Sequence, residues 1–318
     1  MHMQHLVLLA LAVGCGEKDP VDTAPEGDTD ADSDADSDTD VDEGFIGRLR
    51  VEERYDQLLD THSGLLARVG PLDSPWEADI DGPWAFGCWD GEGDRGLFRL
   101  AAAEGECELY LLEGCGGRCE GGCPVDTYCL GGEACVPEPR DGDAGTITLS
   151  GLSEAFEFLY RTDLTYPGYS YLWDPPADLY APGDTITFSA PGAALPAFEV
   201  SVTGPEALDA TLPCDEVPSP GADLTLTWTP SGEAGARVRW EMLQDVHLMQ
   251  GPRIRCETDD DGSFTVPASL LAQYLQSERQ NLTLTRYVRE QIELQPGRTL
   301  QFEAAASVGC IINPDHWW

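Results

Sequence analysis

Apolar and polar residues alternate in short stretches along the second half of the chain. The alternation is clear at Thr146–Leu149, Thr185–Phe188 and Phe198–Val202. A period of two places successive side chains on opposite faces of a strand. These stretches therefore predict β-strands with one buried face and one face in water.

Two longer alternating stretches follow each other closely. Leu224, Leu226 and Trp228 alternate with threonines, and from Ala236 to Met242 apolar residues alternate with Arg237, Arg239 and Glu241. The six residues between them are rich in Gly and Pro. This pattern predicts a β-hairpin.

Further strands are expected on both sides of these stretches, at Gly96–Ala101, Cys107–Leu112, Arg253–Cys256, Phe264–Val266, Leu282–Tyr287 and Leu300–Ala304. Helical spacing occurs at Ala268–Ser277, where Leu270, Leu271 and Leu275 share one side. Short strands separated by Pro, Gly and Asp, without a β-α-β rhythm, indicate an all-β antiparallel sandwich. The strands before and after a cysteine-rich insertion either share one sheet or form two successive sandwiches.

The beginning of the chain has a different character. Leu6–Val13 is apolar but far shorter than the roughly 20 residues that a membrane-spanning helix needs, so it is interpreted as a signal segment. Small residues before Cys15 resemble the lipobox of bacterial lipoproteins. The resemblance implies cleavage before Cys15, lipidation of Cys15 and, from Gly16, an outer-membrane location. The alternatives are an ordinary secretory signal and a buried core segment.

After Cys15 the chain becomes strongly acidic. Every second residue from Asp28 to Asp42 is Asp, and the whole chain has a net charge of −40. With almost nothing apolar to bury, residues 15–44 are expected to form a disordered acidic tether. The negative surface also argues against nucleic acid as a partner, because phosphate backbones would be repelled.

Cysteines are concentrated in one segment. Six of them lie within 29 Gly-rich residues, at Cys107, Cys115, Cys119, Cys123, Cys129 and Cys135. Such a segment has too little apolar material for a core, and it predicts a disulfide-stapled module. Its spacing weakly resembles small extracellular modules of the growth-factor-like kind. Cys88, Cys214, Cys256 and Cys310 would tie the sheets together, with the pairing left open and zinc as the alternative for the cluster.

These features divide the chain into five parts, which are a signal peptide at 1–14, the lipidated cysteine and tether at 15–44, an N-terminal β-rich segment at 45–106, a disulfide-rich module at 107–140 and a β-sandwich at 141–318. The organisation is that of a protein of the cell envelope. The lipid anchor would attach it to the membrane.

Candidate sites are few. Asp259 and Asp261 in one turn, and Asp90 and Asp94 in another, could bind calcium through hard oxygen ligands, but a plain turn or connection is the favoured interpretation of each group. No other cofactor is expected. Tyr169, Tyr171 and Trp173 belong to a Pro-rich aromatic segment that could contact a glycan or a protein, or cover the end of a core.

No nucleophile motif and no metal-ligand spacing of histidines occurs in the sequence. The favoured function is therefore a non-enzymatic one, in which a surface β-sandwich binds a glycan or an envelope protein. The alternatives are a structural or calcium-binding envelope component and, less favoured, a hydrolase that uses a pair of carboxylates.

Overall fold

Strands dominate the described part of the protein. The computed structural model describes residues 45–56, 62–68, 97–113, 127–130, 134–137, 142–162, 168–169, 178–214, 221–246, 249–274 and 280–312. All of them belong to one compact unit, Asp40–Trp318. The predicted all-β class is confirmed.

The strands, in chain order, are β1 (Phe45–Asp56), β2 (His62–Arg68), β3 (Leu97–Glu104), β4 (Cys107–Glu113), β5 (Thr127–Leu130), β6 (Ala134–Pro137), β7 (Ile147–Ser150), β8 (Phe156–Phe158), β9 (Tyr160–Arg161), β10 (Gly168–Tyr169), β11 (Thr185–Ala190), β12 (Phe198–Thr203), β13 (Leu224–Thr227), β14 (Arg237–Val246), β15 (Met249–Asp259), β16 (Ser263–Val266), β17 (Gln280–Gln295) and β18 (Arg298–Ile312). Each strand predicted from alternation coincides with one of these.

An eight-stranded sheet forms the centre of the fold, in the order β2-β1-β18-β17-β14-β15-β4-β3. Its pairings are antiparallel except for that of β1 with β18, which is parallel. Strands from both sides of the cysteine-rich segment therefore share one sheet, the first of the two arrangements considered above.

One face of this sheet is covered by two separate layers. A four-stranded sheet, β12-β11-β7-β8, packs over Leu49, Val51 and Phe302 and encloses the first apolar core. The pair β13-β16 and helix α1 (Ala268–Gln273) cover the other half, over Trp240 and Leu284. The side chains of β18 that enter both cores are at even-numbered positions, so a single sheet face supports both layers.

Helix α1 is shorter than the predicted 268–277. Leu270 and Leu271 are buried as expected, whereas Leu275 lies outside the described residues. In the part of the chain that the structure describes, no helix combines the length and the apolar composition that a membrane span requires.

The predicted hairpin is wrong in its pairing. β13 pairs with β16, and β14 pairs with β15 and β17. The two predicted strands therefore lie in different layers and face each other across the core. Phe264 contacts both Trp228 and Trp240, with ring centroids 6.1 and 6.2 Å apart. The intervening residues act as a corner between sheets.

Two disulfides connect distant parts of the described chain. Cys107 is bonded to Cys256 across β4 and β15, and Cys214 is bonded to Cys310. Cys107 is therefore linked to the central sheet, not to the rest of the cysteine cluster. Cys135 is also disulfide-bonded, and Cys129 lies opposite it in β5. The other cysteines for which lipidation or disulfide bonding is predicted lie outside the described residues, and they are Cys15, Cys88, Cys115, Cys119 and Cys123.

Candidate functional site

The face of the eight-stranded sheet opposite the two cores carries charged side chains. They alternate along their strands with the residues that enter the cores, and cross-strand pairing brings opposite charges together, as in the row Arg50–Glu303–Arg289. We call this surface the charged face, and it consists of Arg50, Glu52, Glu108, Tyr110, Arg239, Glu241, Arg253, Arg255, Glu257, Tyr287, Arg289 and Glu303.

Glu303 is the centre of the charged face. Its side chain is fully buried and forms ion pairs with Arg239 (Nη2–Oε1, 3.0 Å), Arg289 (Nη2–Oε2, 2.9 Å) and Arg50 (Nε–Oε1, 3.3 Å). Arg239 is also fully buried. Burying charges is costly unless each is well paired. The three guanidinium groups around Glu303 also have Glu52, Glu241 or Glu257 within 4 Å, so their charges are balanced within a wider network.

Glu257 is a second carboxylate held by arginines. Arg255 Nη2 donates to its Oε1, and Arg239 and Arg289 lie 3.6 and 3.8 Å from the same oxygen. Burial alone would raise the pKa of Glu257, but Arg255, Arg239 and Arg289 together lower it to about 2. Glu257 is therefore ionised at every pH at which the protein would ordinarily work.

Tyr287 lies between the two carboxylates. Its hydroxyl donates to Glu257 Oε2 at 2.9 Å, and its ring carries Arg239 and Arg289 at 5.0 and 4.7 Å from the centroid. Burial and the nearby charge of Glu257 raise the pKa of Tyr287 to about 12. The phenol is a fixed hydrogen-bond donor that gives the arrangement rigidity.

Toward β3 the charged face becomes aromatic, apolar and open. The cross-strand row here is Arg253–Tyr110–Leu100. The guanidinium of Arg253 lies 5.5 Å from the Tyr110 ring centroid, and the Tyr110 hydroxyl donates to Glu108 at 2.6 Å. Leu100 is 51% exposed. Arg253 itself is only 5% exposed, so the accessible part of the row is Leu100 and the half-buried Tyr110. Tyr is among the residues enriched at protein interfaces.

The charged face is mostly buried and carries no net charge. Its five arginines balance its five glutamates, on a chain whose net charge is −40. It is therefore a locally neutral region in which charged and aromatic groups are held in fixed positions. Preorganised groups of this kind lower the entropic cost of binding.

The two predicted calcium residues that the structure describes, Asp259 and Asp261, do not converge on a common point. The side chain of Asp259 is 90% exposed and lies 3.9 Å from Arg237, whereas Asp261 accepts a hydrogen bond from the Ser263 amide. Among the described residues there is no group of three or more His, Cys, Asp or Glu side chains arranged to hold a metal ion. Asp90 and Asp94 lie outside the described residues.

The predicted aromatic binding segment is only partly described. Tyr169 is buried, and its hydroxyl accepts from the Ala144 amide and donates to the Gly145 carbonyl, both at 2.8 Å. It therefore belongs to the first core, which is the second of the two roles considered for this segment. Tyr171 and Trp173 lie outside the described residues.

Sequence reasoning did not identify the residues of the charged face as a site. Arg239 and Glu241 were recognised as the polar side of a strand, but the polar side was expected to face water. The available signal was the matching pattern in β15, where Arg253, Arg255 and Glu257 follow the same spacing.

Neither a known protein family nor a curated protein matches the chain.

Proposed function

We propose that this protein is a lipid-anchored component of the bacterial cell envelope whose β-sandwich binds a glycan or an envelope protein. Cys15 is the acylated first residue of the mature chain, and the acidic residues up to Gly44 are the tether. At about 3.3 Å per residue, the 29 residues 16–44 reach at most roughly 95 Å. This reach allows the folded part to meet ligands away from the membrane.

The observation that carries the binding role is the open end of the charged face. The half-buried Tyr110 and the exposed Leu100 end a row that begins at the buried Arg253, and the Cys107–Cys256 disulfide joins the strands β4 and β15 beside them. A rigid sheet presents such side chains without a large loss of conformational entropy on binding. Disulfides also fit a compartment outside the reducing cytoplasm.

A hydrolytic role for the carboxylates of the charged face is not favoured. A carboxylate-dependent hydrolase needs one carboxyl group that is protonated near the working pH. The pKa of Glu257 is about 2 because three arginines surround it, so it cannot serve as that acid. Its neighbour Glu303 is committed to three ion pairs.

The test is a binding screen of the mature protein, in detergent, against glycans and solubilised envelope proteins. Saturable binding of at least one ligand is expected, and Tyr110→Ala should weaken it by on the order of tenfold or more because interface tyrosines contribute strongly. Leu159→Ala is the control, since Leu159 is 58% exposed and adjoins β8 in the other sheet. Absence of any saturable ligand would contradict the binding role and favour a structural one.

A further inference from the structure

β3 is the last strand of the eight-stranded sheet in the described part of the chain, where its neighbour is β4. Its side chains at Leu100, Ala101, Ala103 and Glu104 are exposed. Leu100 and Leu159 are the large apolar side chains that stand out as exposed in the described residues. Leu159 adjoins the three-residue strand β8, which is too short to pair with a further strand over any length.

The turn that joins β3 to β4 fixes which backbone groups point outward. Gly105 and Glu106 form a two-residue connection, and Gly105 has a φ of 61°. In a hairpin of this type the flanking residues, Glu104 and Cys107, exchange both backbone hydrogen bonds. The next pair, Ala103 and Glu108, therefore exchanges no backbone hydrogen bonds. The amide and carbonyl of Ala103 point away from β4.

Natural sheets protect such edges. The common devices are Lys or Pro on the strand, bulges and very short strands. β3 has eight residues and contains neither Lys nor Pro. It has a bulge between Leu100 and Ala102, it carries the charged residues Arg99 and Glu104, and the Ser269 hydroxyl of α1 donates to Glu104. The segment from Ala102 to Glu104 keeps a regular register with β4.

The surroundings of β3 determine what could pair with it. Glu104 and Glu106 are exposed beside the turn, and Leu100 adjoins Tyr110 on the charged face. An added strand would meet carboxylates at the turn and an apolar and aromatic surface at Leu100. A second copy of a chain with a net charge of −40 is disfavoured by repulsion.

We propose that β3 binds an extended segment of a partner protein, carrying Lys or Arg together with apolar residues, as a ninth strand of the sheet. Backbone hydrogen bonds to the outward groups of β3 supply affinity, and the side chains beside Leu100 and Glu104 supply selectivity. The inference rests on the proposed binding function and specifies its partner as a protein.

The experiment uses the mature protein in detergent and the probe peptide Lys-Val-Lys-Val-Lys-Val-amide with a fluorescein label at its N-terminus, followed by fluorescence anisotropy. Saturable binding is expected. Ala103→Pro removes an outward amide without touching the pairing with β4, and it should weaken binding by on the order of tenfold or more. Ala103→Val keeps the amide and is the matched control, which should bind like the wild type. The peptide with Glu in place of Lys should bind at least about tenfold more weakly, since it would face like charges.

Three results would overturn the inference. They are no saturable binding of the Lys-Val peptide, equal binding by the Ala103→Pro and Ala103→Val variants, and sedimentation showing a dimer that Ala103→Pro dissociates. Circular dichroism and the melting temperature of each variant confirm that it is folded. The binding screen separates this inference from the proposed function. If Tyr110→Ala weakens binding of a ligand and Ala103→Pro does not, the proposed function stands and only the role of the β3 edge is excluded.

Discussion

Arg286 Nε lies 3.0 Å from Asp260 Oδ2, and the two side chains are 1% and 3% exposed. Arg286 is on the core-facing side of β17 opposite Ala306, between the part of the sheet that supports the first core and the part that supports the second. It also donates to the carbonyls of Glu206 and Thr229, while Asp260 accepts from Trp228 Nε1 at 2.7 Å. The ion pair thus fastens the connections between sheets to the central sheet.

Replacing Arg286 by Met is expected to lower the free energy of unfolding by about 3–5 kcal/mol, because the carboxylate of Asp260 would remain buried without its cation. Arg237→Met is the matched control. Arg237 is 44% exposed and pairs with the exposed Asp259, so its loss should cost at most about 1 kcal/mol. Urea unfolding of the oxidised protein measures both. Equal destabilisation by the two substitutions would show that the buried ion pair of Arg286 does not stabilise the fold more than the exposed ion pair of Arg237.

The pKa of Glu257 predicts a pH dependence of stability. Its folded value, about 2, is below the ordinary value of 4.5, so its stabilisation is complete above about pH 4.5 and is lost as the pH falls toward 2. The difference in unfolding free energy between the wild type and Glu257→Gln should shrink by up to about 3 kcal/mol between pH 5 and pH 2. Unfolding curves at several pH values measure it.

The control for the Glu257 experiment is Glu199→Gln, at an exposed position of β12 away from the charged face. The difference in unfolding free energy between the wild type and Glu199→Gln should not shrink between pH 5 and pH 2 as it does for Glu257→Gln. If the difference in unfolding free energy between the wild type and Glu257→Gln stays constant over this pH range, the arginines do not lower the pKa of Glu257 in solution.

Tyr169→Phe tests whether Tyr169 is structural. Removing the hydroxyl leaves the buried Ala144 amide without an acceptor, which should cost about 1–3 kcal/mol of stability. Ligand affinity in the binding screen should stay unchanged. If Tyr169→Phe lowers ligand affinity and leaves the unfolding free energy unchanged, Tyr169 contacts the ligand and is not a structural residue.

The disulfide pairing seen in the structure is also testable. Peptide mapping without reduction should recover Cys107 joined to Cys256 and Cys214 joined to Cys310. Replacing Cys214 and Cys310 together by Ala should lower the unfolding free energy by about 2–5 kcal/mol, since that bond closes a long loop. A mapped bond from Cys107 to another member of the cysteine cluster would contradict the pairing.

The alternation of apolar residues was sufficient to locate strands but not to pair them. It predicted both Leu224–Trp228 and Ala236–Met242 as strands, and both exist. Alternation indicates which side of a strand is apolar. Two strands with apolar sides can pair within one sheet, or they can belong to two sheets that pack face to face. Here they face each other across Phe264, a residue that lies much later in the chain.

The burial of the charged face was beyond prediction for a related reason. Arg239 follows the pattern of a solvent-exposed residue, yet it is buried because β15 and β18 bring Glu257 and Glu303 beside it. Those contacts depend on strand order, which local pattern does not contain. The same holds for Cys107, whose nearest cysteines in sequence are not its partner.

We propose that acyl chains on Cys15 hold the mature protein in an oxidising envelope, and intact-mass analysis of the native protein before and after reduction is the direct test. The expected mass is that of a chain beginning at Cys15 with acyl groups attached, and reduction should add the mass of two hydrogens for each disulfide. A mass equal to the chain from Met1, unchanged by reduction, would contradict the account.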